Sequence, residues 1–536
     1  MRLSRLDSLR CLRWAILFLA IGLSACQPIA SIPLNEIHTS SSPAGRVEYT
    51  VTSPSSPSTP SPELWTTANL RLFEYAMIPN ARGDIVQVAA ILRPTRYQMD
   101  LRFAPETNTV TGQEIVYYTN NEQISLDAVY FRLFPNLPDL GQTAVSMLTV
   151  NGEPVTPQAE LEGSALRVPL YPPLLPGDSA VFELTFTVQV PTELRGNYGA
   201  FAYVDNVLAL AGFYPVIPVY DDEGWNIEIA PAYGDILYTD TSLYLVHFTL
   251  PANWDVAASG STLAKRNNSD GTTTWTFVTG PMRDFNLVAS PDYITSEAQV
   301  GATTVRSHYK PTDSAGGQRV LEYTARALAY FSEAFGLYPF AELEIAATPN
   351  TAAGIEYPGL IVLAQRLYGQ MDGFLEWATV HEVAHQWWYS LVGSDQVDEP
   401  WLDESLAQYA TLMYIEKTKG SLAATVARQL AFERPYRQLV EEGRDQRVGQ
   451  PVRAFSEGDY GAVVYAKGPL FFDALRKSMG DRAFHTFLRA YLEAYRYRIA
   501  TPEALLSTAE RACDCDVRPI YEEWILGTRT VKSSEK

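Results

Sequence analysis

Cysteine, histidine and basic residues are all scarce in this 536-residue chain. Only four cysteines occur, Cys11, Cys26, Cys513 and Cys515. The last two form an i, i+2 pair with no second pair to match, which excludes a cysteine-built zinc site. They suit either a local disulfide or two free thiols, and no role is assigned to them. Lys and Arg number 41 against 61 Asp and Glu, a net charge of −20. That deficit excludes a nucleic-acid binder, which needs basic stripes against phosphate. It fits an enzyme working outside the cytoplasm. The six histidines are few enough that any close pair of them is informative. No internal repeat is present.

The apolar run near the N-terminus is also short. Arg2, Arg5, Arg10 and Arg13 precede residues 14–23. About ten apolar residues suit a signal segment but not a bilayer-spanning helix, which needs about 20. The run ends Leu23-Ser24-Ala25-Cys26, which looks like a bacterial lipobox. That resemblance implies a signal peptide over 1–25, lipid on the Cys26 thiol and a protein anchored to a bacterial membrane on its extracytoplasmic side. Residues 26–63 read as a tether, since 39–62 are crowded with Ser, Thr and Pro and cannot bury enough apolar surface to fold.

Beyond the tether, 46% apolar residues support real cores, and the length allows two or three domains. Residues 64–295 read as a β-domain. Runs at 128–134, 182–190 and 243–250 have strand character, and 182–190 alternates apolar and polar. Asn151-Gly152, Pro176-Gly177 and Asp270-Gly271 mark turns. Residues 296–536 read as mainly helical, with helices expected over 318–335, 467–479 and 481–495. The expected fold class is α+β: an antiparallel, sandwich-like sheet domain followed by a helical one.

The chemistry concentrates at 381–404. His381-Glu382-Val383-Ala384-His385 is an H-E-x-x-H motif, and Glu404 follows after eighteen residues. Residues at i and i+4 share one helix face, so both imidazoles can meet one ion. Phe374, Trp377, Ala378, His381, Ala384, His385 and Trp388 recur at helical spacing, with Gly393 as the expected stop. A second helix is expected from about Pro400 to Lys419, capped by Asp398, with Glu404 in its first turn. Two histidines and one carboxylate are the ligands of a catalytic Zn2+ that leaves its fourth position to water. Glu382 then points beside the metal, placed to accept a proton from water. The pattern excludes a metzincin, which needs Gly and His where Trp388 and Leu391 stand.

Residues 381–409 resemble the M1 family of zinc metallopeptidases. Ala353-Gly354-Ile355-Glu356-Tyr357 is similar to that family's second motif, and its Glu356 stands 25 residues before His381. Tyr465-Ala466-Lys467-Gly468, with Tyr460 five residues earlier, is similar to a third. Gly336-Leu337-Tyr338-Pro339-Phe340 and Arg283-Asp284-Phe285 fit bacterial members, and the resemblance extends over about 95–530. It implies a β-domain forming one wall of the cleft and a thermolysin-like catalytic domain. It implies one Zn2+ held by His381, His385 and Glu404, with Glu382 as general base. Tyr465 would donate to the oxyanion, Ala353 and Gly354 would line the peptide as an edge strand, and Glu356 would bind its free amine. His38, His247, His308 and His485 match no ligand spacing and are read as surface or core residues.

The resemblance also shows departures. Ala353, Ile355, Asp403 and Ser405 replace commoner residues. The stretch matching the family's other amine anchor is Ala211-Gly212-Phe213-Tyr214-Pro215, with Asp221, Asp222 and Glu223 after it, and no second anchor is assigned. Larger members continue into a helical domain covering the cavity, so a more open cleft is expected here. The implied activity is release of N-terminal residues from peptides. An endopeptidase of the same chemistry and a catalytically inactive peptide-binding lipoprotein are the alternatives.

Overall fold

The computed structural model describes residues 67–370 and 373–529. The expected signal segment, Cys26 and the tether lie outside the described residues.

The first half is built on an eight-stranded sheet in the order Ser261–Asn267, Thr272–Val278, Leu243–Pro251, Arg96–Ala104, Thr109–Thr119, Ser179–Gln189, Gln142–Val150, Glu153–Pro154. Period-2 alternation sets its faces. Along Ser179–Gln189, Phe182, Leu184, Phe186 and Val188 point inward. They pack with Val129 and Phe131 of a three-stranded sheet and with Leu208 and Val288 of a four-stranded one. Most pairing is antiparallel. One internal pair is parallel, Arg96–Ala104 with Leu243–Pro251, because about 140 residues of other strands intervene and no hairpin joins them. The strands expected at 128–134, 182–190 and 243–250 are Leu126–Arg132, Ser179–Gln189 and Leu243–Pro251.

Residues 67–91, read from sequence as part of the β-domain, are two helices, Thr67–Phe73 and Gly83–Ile91. Their buried residues Phe73, Ile85 and Val88 join the core of the catalytic half, and the sheet domain begins at Arg96.

The second half opens with a five-stranded sheet whose edge strand is Gly354–Ile355, paired antiparallel with Leu360–Ala364. Against it packs Ser314–Ala334, burying Val320, Leu321, Thr324, Ala327, Leu328 and Phe331 on one face. The helices Gly468–Met479 and Asp481–Tyr495 stand where the sequence places them. The histidine helix, Phe374–Ala384, is buried all round from Leu375 to Ala384, so it lies at the centre of this half. It ends at Ala384 and not near Gly393. Trp387 stacks edge-on with Phe331 and donates to the Gly336 carbonyl, while Trp388 packs on Tyr491. Both tryptophans also pack on Phe335, and the Ser390 N–H closes a turn on the His385 carbonyl in place of a further helical bond. The carboxylate helix, Trp401–Lys419, is not capped by Asp398. That carboxylate instead accepts from Arg453 at 2.8 Å. Cys513 and Cys515 are joined in a disulfide after the helix Pro502–Cys513.

Candidate metal centre and substrate cavity

The histidine and carboxylate helices bring three ligand atoms into a small triangle. His381 Nε2 and His385 Nε2 are 3.2 Å apart. Glu404 Oε2 lies 3.2 Å from the first and 3.3 Å from the second. Ligands at about 2.0–2.1 Å from a tetrahedral zinc stand roughly 3.3 Å from one another, so this donor set fits that ion. His385 Nδ1 lies 3.0 Å from the Trp388 carbonyl, which assigns the ring proton to Nδ1 and leaves Nε2 facing the triangle.

Glu382 is buried, and one of its carboxylate oxygens has no hydrogen-bond partner among the described residues. Gly354 passes so close that an added Cβ would strike this carboxylate, so glycine is required here for contact and not for its φ. Ala353 and Gly354 line the cavity on the open edge of the five-stranded sheet, and Glu356 lies close enough to His385 and Glu404 to share an ion with them. Tyr465 sits in a π-helical turn, Val463–Lys467. Its hydroxyl donates to the other oxygen of Glu404, and its ring packs edge-on against Tyr460. Every sequence-predicted site residue among the described ones therefore meets in one place.

All of them except His385 line a cavity of about 470 Å³. Its electrostatics are dominated by carboxylates. Burial pushes Glu382 well above the ordinary carboxylate range, and the neighbouring Glu356 pushes it further. Burial raises Glu356 too; His385 opposes the rise and Glu404 adds to it. For Glu404 burial is outweighed by hydrogen bonds from His381 and His385, which hold it well below. Burial lowers His381. It works the same way on His385, but Glu356, Glu404 and Glu382 overcome it and raise that imidazole. So many carboxylates around two imidazoles favour a cation in the middle.

Sequence reasoning missed Asp235. It comes from the β-domain, lines the same cavity, and is raised by burial and then by Glu356 and Glu404. It lies on an irregular stretch between strands, and no local pattern marks it. The stretch 211–215, read as matching the second anchor, brings Ala211 to the cavity wall. Among the other histidines, His308 is buried between Asp255 and Glu344, away from this site.

Residues 319–524 match the model of the peptidase family M1 domain. Aminopeptidase RNPEPL1 of Homo sapiens is 27% identical over 210 residues, 36% of this chain and 29% of that protein. Aminopeptidase N of Lactococcus lactis subsp. lactis is 26% identical over 220 residues, 38% of this chain and 26% of that one. The aligned stretch thus spans less than a third of these curated relatives. In overall shape the chain is similar to an M1 zinc metallopeptidase from Deinococcus radiodurans, with a TM-score of 0.62, 23% identity, and cover of 83% of this chain and 96% of that one. A variant of that protein solved with a Tyr-Ser-Ala substrate gives the same TM-score. Over residues 319–524 the chain is thus similar to the peptidase family M1 domain, and it shares the two-part, sheet-then-helix fold of the M1 zinc metallopeptidase from Deinococcus radiodurans.

Proposed function

We propose that this protein is a zinc-dependent aminopeptidase that removes N-terminal residues from peptides. The observation that carries the reading is the ligand triangle of His381, His385 and Glu404 beside a carboxylate-lined cavity. Bound there, zinc supplies Lewis-acid polarisation of the scissile carbonyl and a water of lowered pKa. Glu382 takes the proton of the attacking water and passes it to the leaving amine. Tyr465 turns its hydroxyl from Glu404 to the carbonyl oxygen as negative charge develops there. Glu356 and Asp235 hold the ammonium group of the substrate between them, which fixes the cut one residue from the end. The edge strand Gly354–Ile355 pairs with the peptide backbone.

The test uses the full chain loaded with zinc and one peptide in free and N-acetylated forms, with products followed by mass spectrometry. Stepwise loss of single residues from the free form alone is expected. Internal cuts in both forms would make the protein an endopeptidase, and no cut in either, across a peptide panel, would leave a binding protein.

We further propose that Cys26 carries a lipid and holds the enzyme to the outer side of a bacterial membrane, on the sequence evidence of Leu23-Ser24-Ala25-Cys26. Cys26→Ser should release the protein from the membrane fraction with the catalytic residues intact.

A further inference from the structure

The turn that ends the histidine helix is held by the other half of the molecule. Tyr389, at its centre, has φ 146°, a backbone conformation that favours glycine and strains a tyrosine. Such a conformation persists only where the surroundings impose it, and two residues of the β-domain do. Arg283 Nε donates to the Tyr389 carbonyl at 2.6 Å, and the Tyr389 hydroxyl donates to Asp284 Oδ2 at 2.6 Å. Backbone and side chain of the same tyrosine are thus gripped by consecutive residues more than a hundred positions away.

The grip is itself firmly set. Arg283 Nη2 donates to the Arg498 carbonyl at 2.7 Å and Nη1 to the Thr239 carbonyl at 3.3 Å. Its guanidinium lies so flat on Gly393 that an added Cβ there would collide with it. Asn286 Nδ2 donates to Asp284 Oδ1 at 2.6 Å. All three residues, Arg283, Asp284 and Tyr389, are at most 4% exposed. On the other side of the turn, the residue before Tyr389 offers its carbonyl to His385 Nδ1 at 3.0 Å, and Ser390 N–H donates to the His385 carbonyl at 3.0 Å. Rotating the peptide between Trp388 and Tyr389 would move the very carbonyl that orients the imidazole.

We propose that Arg283 and Asp284 are positioning residues for His385: by fixing Tyr389 they fix the Trp388 carbonyl, and so couple the docked β-domain to metal retention. This rests on reading His381, His385 and Glu404 as the zinc ligands. Groups that orient a metal-binding imidazole typically alter affinity 10–100-fold when removed.

The experiment measures zinc affinity by chelator competition on the full chain for wild type, Tyr389→Phe, Asp284→Asn, Arg283→Met and Arg283→Lys. Cobalt-substituted visible spectra are recorded on the same set. Tyr389→Phe loses only a hydroxyl, so its folding is secure even if Arg283→Met fails to fold. The expected result is an affinity loss of roughly 10-fold or more for Tyr389→Phe and Asp284→Asn, with a changed cobalt spectrum, and partial recovery in Arg283→Lys relative to Arg283→Met. His308→Gln, which cuts a different buried link between the halves, serves as control and should keep wild-type affinity. Unchanged affinity in Tyr389→Phe and Asp284→Asn overturns the proposal, as does an equal loss in His308→Gln. A wild-type chain that binds no zinc overturns the site reading and this proposal with it.

Discussion

Glu382 and Glu114 are both buried carboxylates, yet their surroundings give them opposite meanings. Glu382 has a cavity in front of it and a cation site beside it, so its cost of burial is tied to chemistry. Replacing it by Gln keeps the shape and the contact with Gly354 but removes the proposed proton acceptor. Glu382→Gln should therefore lower kcat by about 10²–10⁴ while zinc content, read by metal analysis, stays at one per chain. Glu114 faces the sheet-domain core, is 1% exposed, and neither of its oxygens has a hydrogen-bond partner among the described residues. Burial pushes it well above the carboxylate range, and nothing nearby uses it. A group whose folded pKa is raised binds its proton more tightly in the native state. Its penalty is absent below the unfolded value and grows as pH rises beyond that value. Glu114→Met, of similar length, should stabilise the protein by about 1–3 kcal/mol at pH 7. Denaturant melts should show the gain shrinking toward pH 4, and a destabilised variant at pH 7 would refute it.

Strands of both halves meet at a second polar centre. His308, in the strand Thr303–Tyr309, lies 3.2 Å from Asp255 of the β-domain and 2.7 Å from Glu344 of the next catalytic strand. Arg306 pairs with the same Glu344 at 2.7 Å and with Glu342 at 2.9 Å, and Tyr293 and Thr295 close the pocket. Burial opposes the charged imidazole, but the two carboxylates raise it to about 9. Stability from this pair is complete below the unfolded value near 6.5 and is lost as pH rises through about 9. Burial also opposes the Asp255 carboxylate, and the histidine holds it lower than usual, so its share is lost in acid instead. His308→Gln should cost about 2–3 kcal/mol at pH 7 and flatten the stability profile between pH 7 and 9.5 in urea melts; a profile as steep as wild type would refute this. None of it was legible in the sequence, where His308 matched no ligand spacing. The same limit explains other gaps. The i, i+4 histidines were legible because a helix fixes their relation locally. Strands such as Ser179–Gln189 were legible because alternation is local too. The helix end at Ala384 was not, since the partners of the two tryptophans after it, Phe331, Phe335 and Tyr491, lie far along the chain. Asp235 was not, since an irregular stretch gives no period from which to infer its direction. The φ of Tyr389 is imposed from the β-domain and leaves no trace in its neighbours.

At the scale of the whole molecule, the metal centre lies where the two halves meet. The proposed ligands come from the histidine and carboxylate helices of the catalytic half, Asp235 from the β-domain lines the cavity, and the Arg283 guanidinium bridges to Tyr389 and Arg498. The centre gathers Asp235, Glu356, Glu382, Asp403 and Glu404 around two imidazoles, and an Asp403 oxygen with no hydrogen-bond partner among the described residues is buried with them. An ion bound only by the folded form stabilises it by RT ln(1 + [Zn]/Kd), about 2.7 kcal/mol when free zinc is 100 times Kd. A domain of the catalytic half's size shifts by about 2–4 °C per kcal/mol. Calorimetry of the full chain should therefore show the melting temperature rising by roughly 5–10 °C from chelator to that zinc level, with a further rise for each tenfold increase. Because the β-domain grips the turn below His385, sheet and helical halves should move together, as one transition or as two shifting in parallel. A zinc-dependent shift confined to the catalytic half would place the metal's influence within its own helices. No shift at any zinc level would remove the metal from the site altogether.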